Sequence, residues 1–251
     1  METKKVINLI ILDASGSMST IYNQALGGVN ETLGAIRVAQ NEHPELKQYV
    51  TLASFSAGEK YLNKIFTNKP IDEVRNITEK DYPLLGCTAL HDAMGDMIME
   101  VMGSATTDDC VLVTVITDGY ENASRKWSAD GVKSLVETLK TKGWTFTYIG
   151  ANQDVVMVAE SLGVKNSLCF EVTEEGTKQM FEKDKKSRKA FFLAKIQRNG
   201  ADGDLHLNTG GLFCGDHAHG LGGGPDLIEI VAAFIALHQD LLLPFQGDQL
   251  R

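Results

Sequence analysis

Two nearly unbroken apolar runs, Lys5–Leu12 and Cys110–Ile116, each stop at a short polar turn that carries an aspartate. The first turn is Asp13-Ala-Ser15-Gly-Ser17 and the second is Thr117-Asp118-Gly119. A strand with one wet face alternates apolar and polar residues, whereas a strand covered on both faces does not have to. Runs of this kind therefore predict parallel strands in the middle of a sheet. Parallel neighbours need long crossover connections, which are usually helices. That requirement restricts the chain to an α/β architecture.

The rest of the sequence supplies the pieces. Helical spacing of apolar residues runs over Ile21–Gln40, Ala89–Met102, Ala129–Lys142 and Asp154–Leu162. Thr173–Phe192 reads as a closing helix with a strongly charged exposed face. Further strands are expected at Tyr49–Ser56, Lys60–Phe66, Trp144–Ile149 and Ser167–Phe170. Ala57-Gly58-Glu59 separates two of them so briefly that a hairpin follows, which makes one edge strand antiparallel. Pro70–Asp81 reads as a short helix plus loop. The expected fold is a three-layer, doubly wound α/β domain with a mainly parallel sheet and helices on both faces. In such sheets ligands bind at the carboxyl ends of the strands, near a switch in strand order. Asp13 and Asp118 both fall at such ends, so two acids distant in sequence are expected on one rim.

The 251 residues suffice for one large domain with an extension, placed here at 1–195 and 196–251. Twenty-four Lys and Arg against 33 Asp and Glu leave a net charge of −9. That balance argues against nucleic acid, whose binding rests on Lys and Arg. The first apolar run is interrupted by Asn8 and ends in Asp13, so it reads as a strand and not as a signal peptide. No stretch has the length of uncharged apolar residues that a membrane span needs. A soluble, cytoplasmic protein without a membrane partner is expected. The four cysteines, Cys87, Cys110, Cys169 and Cys214, are widely spaced and read as buried, reduced thiols.

Three segments carry the chemistry. These are Asp13-x-Ser15-x-Ser17, the loop Gly86-Cys87-Thr88-Ala89-Leu90 that opens a Met-rich helix, and Thr117-Asp118-Gly119. Each alone has a plain structural explanation. Ser15, Ser17 or Thr88 would serve as helix caps, and Thr-Asp-Gly is an ordinary turn after a strand. Together they gather acids and hydroxyls, the hard oxygen donors that suit Mg²⁺ or a similar cation.

This set resembles the von Willebrand factor A domain family, whose metal-ion-dependent adhesion site uses an Asp-x-Ser-x-Ser loop, a distant Thr and a distant Asp. The resemblance covers about residues 4–193. Tyr148-Ile-Gly-Ala-Asn-Gln-Asp154 is also similar to small intracellular bacterial or phage members of that family. The resemblance implies a Rossmann-like fold and a complete metal site. In it Ser15 and Ser17 would bind the cation directly, and Thr88 directly or through water. Asp13 and Asp118 would act mostly through water or by orienting the ligands. Mg²⁺ is the implied cation, with Mn²⁺ and Ca²⁺ as alternatives. Few direct carboxylates would leave it electrophilic, with an open position for an Asp or Glu of a partner protein.

The implied function is a non-enzymatic, metal-dependent protein-binding or adaptor domain. An alternative is a regulatory subunit of an ATPase, chelatase or metal-resistance complex, and a less favoured one is a metal-dependent phosphoester hydrolase. Ser15 lies outside any Gly-x-Ser-x-Gly elbow, and no phosphate-binding Gly-x-x-x-x-Gly-Lys loop is present. His91, on the first turn of its helix, reads as a rim residue, and Tyr120, Glu121 and Asn122 read as shaping the partner-facing rim. In the extension, Cys214-x-x-His217-x-His219 reads as a packed loop, with a zinc site as the alternative. Asp226–Leu243 reads as an apolar helix that docks on protein.

Overall fold

The computed structural model describes residues 4–151, 154–170 and 173–198. The Cys214–His219 segment and the Asp226–Leu243 helix expected from sequence lie outside the described residues.

Six strands form one sheet: β1 (Lys4–Asp13), β2 (Leu46–Phe55), β3 (Leu62–Pro70), β4 (Cys110–Thr117), β5 (Thr145–Ala151) and β6 (Asn166–Phe170). Their order is β3-β2-β1-β4-β5-β6. All neighbouring pairs are parallel except β2 with β3. The antiparallel edge follows from the short connection around Gly58, whose φ of +106° only glycine adopts easily. The expected α/β, Rossmann-like sheet with one antiparallel edge is therefore present.

The helices are α1 (Tyr22–Glu42), α2 (Leu90–Met102), α3 (Ala129–Thr141), α4 (Val155–Ser161) and α5 (Glu174–Arg198). Residues of β1 divide between two cores, as the two-residue period of a strand requires. Ile7, Leu9 and Ile11 pack with α2, α3 and α4 residues such as Met94, Met97, Val132, Val136 and Ala159. Ile10 and Leu12 pack on the other face with α1 residues Val29, Leu33 and Ile36, and with Met180 and Phe181 of α5. This is why β1 reads as a continuous apolar run. Each such side chain taken fully out of water contributes about 1.5–3 kcal/mol.

Two expectations from sequence need correction and one is sharpened. The short helix plus loop expected over Pro70–Asp81 is a single 3-10 turn, Ile71–Glu73, entered directly from β3, which runs through Pro70, and then a loop. Arg75 then grips Asp81 with two bonds of 2.6 and 2.7 Å, and Asp81 also accepts from Thr78, so the segment is fixed by polar bonds. The three described cysteines are not buried as expected, for Cys87 and Cys169 are exposed and Cys110 is half-buried. Finally, the charged side of α5 is not all solvated. Arg188 donates to Asp184 at 2.8 Å and to Thr114 of β4 at 2.7 Å, and both charged residues are buried.

Candidate metal centre

β1 and β4 lie side by side at the centre of the sheet, with Leu12 paired to Ile116. The next residues, Asp13 and Thr117, therefore leave the sheet together. The Thr117 hydroxyl donates to Oδ2 of Asp13 at 2.6 Å, and the Ser15 amide donates to Oδ1 at 2.7 Å. Both carboxylate oxygens of Asp13 are thus held, and the side chain is fully buried. Its backbone carbonyl accepts a 2.6 Å bond from the hydroxyl of Tyr82, whose ring stacks on Tyr22 at 5.1 Å.

The first loop then turns outward. Ser15 is buried and Ser17 exposed, with their hydroxyls 3.0 Å apart. The Ser17 hydroxyl donates to Oδ1 of Asp118 at 2.6 Å. A third segment, 82–88, lies over this loop. Leu85 N–H donates to the Ala14 carbonyl at 2.8 Å, and Gly16 N–H donates to that of Gly86 at 3.1 Å. That segment delivers Thr88, which is buried.

Gly119 shows how tightly the three segments converge. A Cβ at this position would lie 3.0 Å from Oγ1 of Thr88, 3.3 Å from Oγ of Ser17 and 3.6 Å from Oδ2 of Asp13. Oxygens from three loops thus surround one point, and only a residue without a side chain leaves that point open. The cap explanation fares poorly beside this geometry. Ser15 makes no side-chain capping bond at the start of its 3-10 turn, and α2 has no side-chain cap at Ala89.

Residues after Asp118 fasten the loops to one another. Thr88 N–H donates to Oδ1 of Asn122 at 2.9 Å, and Asn122 N–H returns a 3.0 Å bond to the Thr88 carbonyl. Glu121 turns inward, where it accepts from the amides of His91, Ala123 and Ser124 and from the Ser124 hydroxyl. It thus binds amide groups at the α2 N-terminus and in its own loop. Asp92 accepts from the amides of Arg125, Lys126 and Trp127. The Trp127 ring covers Gly95, where a Cβ would lie 2.2 Å from ring carbon. The 118–127 segment is therefore tied along α2, and Thr88 and Asp118 are held in one unit.

Burial pushes the Asp13 carboxyl above its ordinary range, against the bonds from Thr117 and Ser15 that pull it down. Burial raises Asp118 too, against the bond from Ser17. Both acids lack enough compensating positive charge, a deficit that a cation would fill. All five residues expected from sequence reach this rim. Thr117, Gly119 and Asn122 also build it; the sequence marked all three, in the Thr-Asp-Gly turn or on the rim, but not as supports of the acids and hydroxyls. Tyr82, which the sequence did not mark, holds the Asp13 carbonyl.

The donor set fits a hard divalent ion. It offers hydroxyls and carboxylates but no sulfur or imidazole, which favours Mg²⁺, Mn²⁺ or Ca²⁺ over softer metals. Ser15, Ser17 and Thr88 would hold the ion, and Asp13 and Asp118 would supply charge and orient the hydroxyls and waters around it.

No family model and no curated protein matches the chain. Solved structures do. The pilus adhesin SpaC of Lactobacillus rhamnosus GG, in an open conformation, matches with a TM-score of 0.56 at 11% identity over 76% of this chain and 31% of that one. The PilB minor pilin of Streptococcus sanguinis matches at 0.51 and 11%, over 81% of this chain and 64% of that one. Proximal thread matrix protein 1 of the mussel byssus matches at 0.50 and 16%, over 73% and 46%. The chain spans less than two thirds of each of these structures. At these identities the likeness is one of fold alone, that of a mainly parallel, Rossmann-like α/β domain.

Proposed function

We propose that this chain is a protein-binding domain that works through a divalent cation, Mg²⁺ in the first instance, held by Asp13, Ser15, Ser17, Thr88 and Asp118. The observation that carries the reading is the convergence of oxygens from three loops on the open point beside Gly119. With hydroxyls as the direct ligands, the ion keeps most of its charge and an exchangeable water. An Asp or Glu of a partner protein replaces that water and completes the coordination.

Binding without chemistry is favoured by what surrounds the hydroxyls. A hydrolytic reading needs a base positioned on a nucleophile. The Ser15 and Ser17 hydroxyls bond each other, and Ser17 bonds Asp118. Burial alone would raise the Glu121 carboxyl, but its hydrogen bonds hold it below its ordinary range, so it is a weak base. His91 lies 3.8 Å from Glu121 through Nδ1. Among the described residues no helix is long and apolar enough to cross a membrane.

Isothermal titration with Mg²⁺ on the unmodified chain, Asp13→Ala and Asp118→Ala tests the assignment. Heat of binding in the first and its loss in both variants is the expected result. Equal binding by all three would remove these residues from the site.

A further inference from the structure

The cation reading leaves unexplained why two large apolar side chains stand in solvent beside so polar a site. Leu85 is 59% exposed and Tyr120 is 58% exposed, although both lie on loops that form the rim. They flank it from opposite sides. The Leu85 amide bonds Ala14, whose own amide bonds Phe55 at the end of β2, so Leu85 lies on the β1–β2 side. Tyr120 follows Asp118 at the end of β4, and its hydroxyl donates to Asp154 at 2.8 Å, beyond the end of β5. The strand order β2-β1-β4-β5 puts the oxygen cluster between them.

Resting on the cation reading above, we propose that the partner presents a single acidic side chain flanked on both sides by bulky apolar residues, which pack on Leu85 and Tyr120. Two observations select this partner over a run of acids. The chain carries a net charge of −9, so its overall field disfavours a partner rich in acids, and the cation is the local attraction for one carboxylate. The outermost side chains next to the cluster also offer apolar surface. An aromatic ring and a leucine beside a central polar anchor suit an interface whose middle is desolvated. The backbone bond from Leu85 to Ala14 fixes where its side chain starts, and the hydroxyl bond of Tyr120 fixes where its ring ends, so the surface is formed before the partner arrives.

Three short synthetic peptides test this on the full chain in Mg²⁺ and in EDTA. One has a central Glu between Phe and Leu, the second the same Glu between glycines, and the third has Gln in place of Glu in the first. The expected result is Mg²⁺-dependent binding of the first peptide, about tenfold or more tighter than the second, and none of the third. Leu85→Ser and Tyr120→Ser should each narrow the gap between the first two peptides, while Leu85→Ser leaves Mg²⁺ affinity as it was. Equal affinity for both Glu peptides overturns this inference and leaves the cation reading standing. Binding of the first peptide that survives both EDTA and the Gln replacement overturns the acidic anchor. Mg²⁺ binding with no response to either Glu peptide overturns the inference and the partner-completed site together.

Discussion

The Ser17 hydroxyl donates to Oδ1 of Asp118 at 2.6 Å, joining residues 101 positions apart in sequence. This bond closes the rim between the first and third loops, and a cation would take over its work by drawing both oxygens to itself. Asp118→Asn keeps an oxygen acceptor for Ser17 but removes the charge. Mg²⁺ affinity should fall about 10–100-fold, the range for groups that orient metal ligands. The melting temperature of the metal-free variant should stay level or rise slightly, because a half-buried charge has gone. Calorimetric titration and thermal melts in EDTA check the two halves separately, and a variant that simply unfolds would count against the argument.

The two raised carboxyls make stability depend on pH in a direction opposite to the usual one. A carboxyl whose folded pKa lies above its unfolded value holds its proton more tightly when folded. Its contribution is present at low pH and lost as pH rises through the folded value. Asp13 and Asp118 therefore weaken the metal-free fold as they ionise. A cation binds the ionised forms and displaces the protons. The rise in melting temperature caused by Mg²⁺ should thus be larger at about pH 7.5 than at about pH 4, where ordinary carboxyls begin to take up protons. Differential scanning calorimetry at the two pH values measures it, and an equal rise at both would show that these carboxyls do not compete with the ion.

Gly119→Ala separates the site from the fold. Glycine here has no positive φ, so alanine meets no backbone strain. Its methyl group would instead press on Thr88 Oγ1 and Ser17 Oγ, at 3.0 and 3.3 Å. The cost in stability should be about 1–3 kcal/mol, as for one added group in a tight space. Mg²⁺ binding should be lost outright, because the methyl stands where the oxygens converge. Chemical denaturation and titration calorimetry report the two effects.

Asn122→Ala tests the clasp between the second and third loops. Removing the Asn122 side chain leaves the Thr88 amide without its 2.9 Å acceptor, at a cost of about 1–3 kcal/mol where water cannot replace it. Mg²⁺ affinity should drop although Asn122 is no ligand, since Thr88 is no longer fixed toward the ion. Unchanged affinity would mean that the returning bond from the Asn122 amide alone positions Thr88.

How much of this was legible from sequence depended on range. The sheet was legible because burial on both faces writes a continuous apolar run, as in Leu9–Leu12, and the two acids followed from strand ends. The placement of Ser15 and Ser17 on the rim was legible because the Asp-x-Ser-x-Ser spacing is local. Glu121 was not, because an acid in a loop looks the same whether it faces water or, as here, binds the amides of His91 and Ser124. Tyr82 sits in an irregular segment with no period to read, yet its hydroxyl supports the Asp13 carbonyl. The exposure of Cys87 was hidden for a similar reason: a loop laid over another loop leaves no sequence pattern.

The largest such miss is the charged face of α5, and it yields the sharpest test of the fold. Asp184 and Arg188, one turn apart, belong to the face read from sequence as exposed. Both are only 3% exposed, because α5 packs on α1 and β6 and Arg188 reaches Thr114 of β4. A buried ion pair is expensive to break but cheap to replace. Arg188→Met should destabilise the chain by about 3–5 kcal/mol, since it strands the Asp184 carboxylate in the core. Among the described residues Arg188 Nη1 has no hydrogen-bond partner, so within them the pair is not fully compensated even when intact. Replacing both, Asp184→Leu with Arg188→Met, should recover most of the loss. Urea denaturation of the two single variants and the double variant measures the coupling. Single variants that lose less than about 1 kcal/mol would place the pair in water, as the sequence alone suggested.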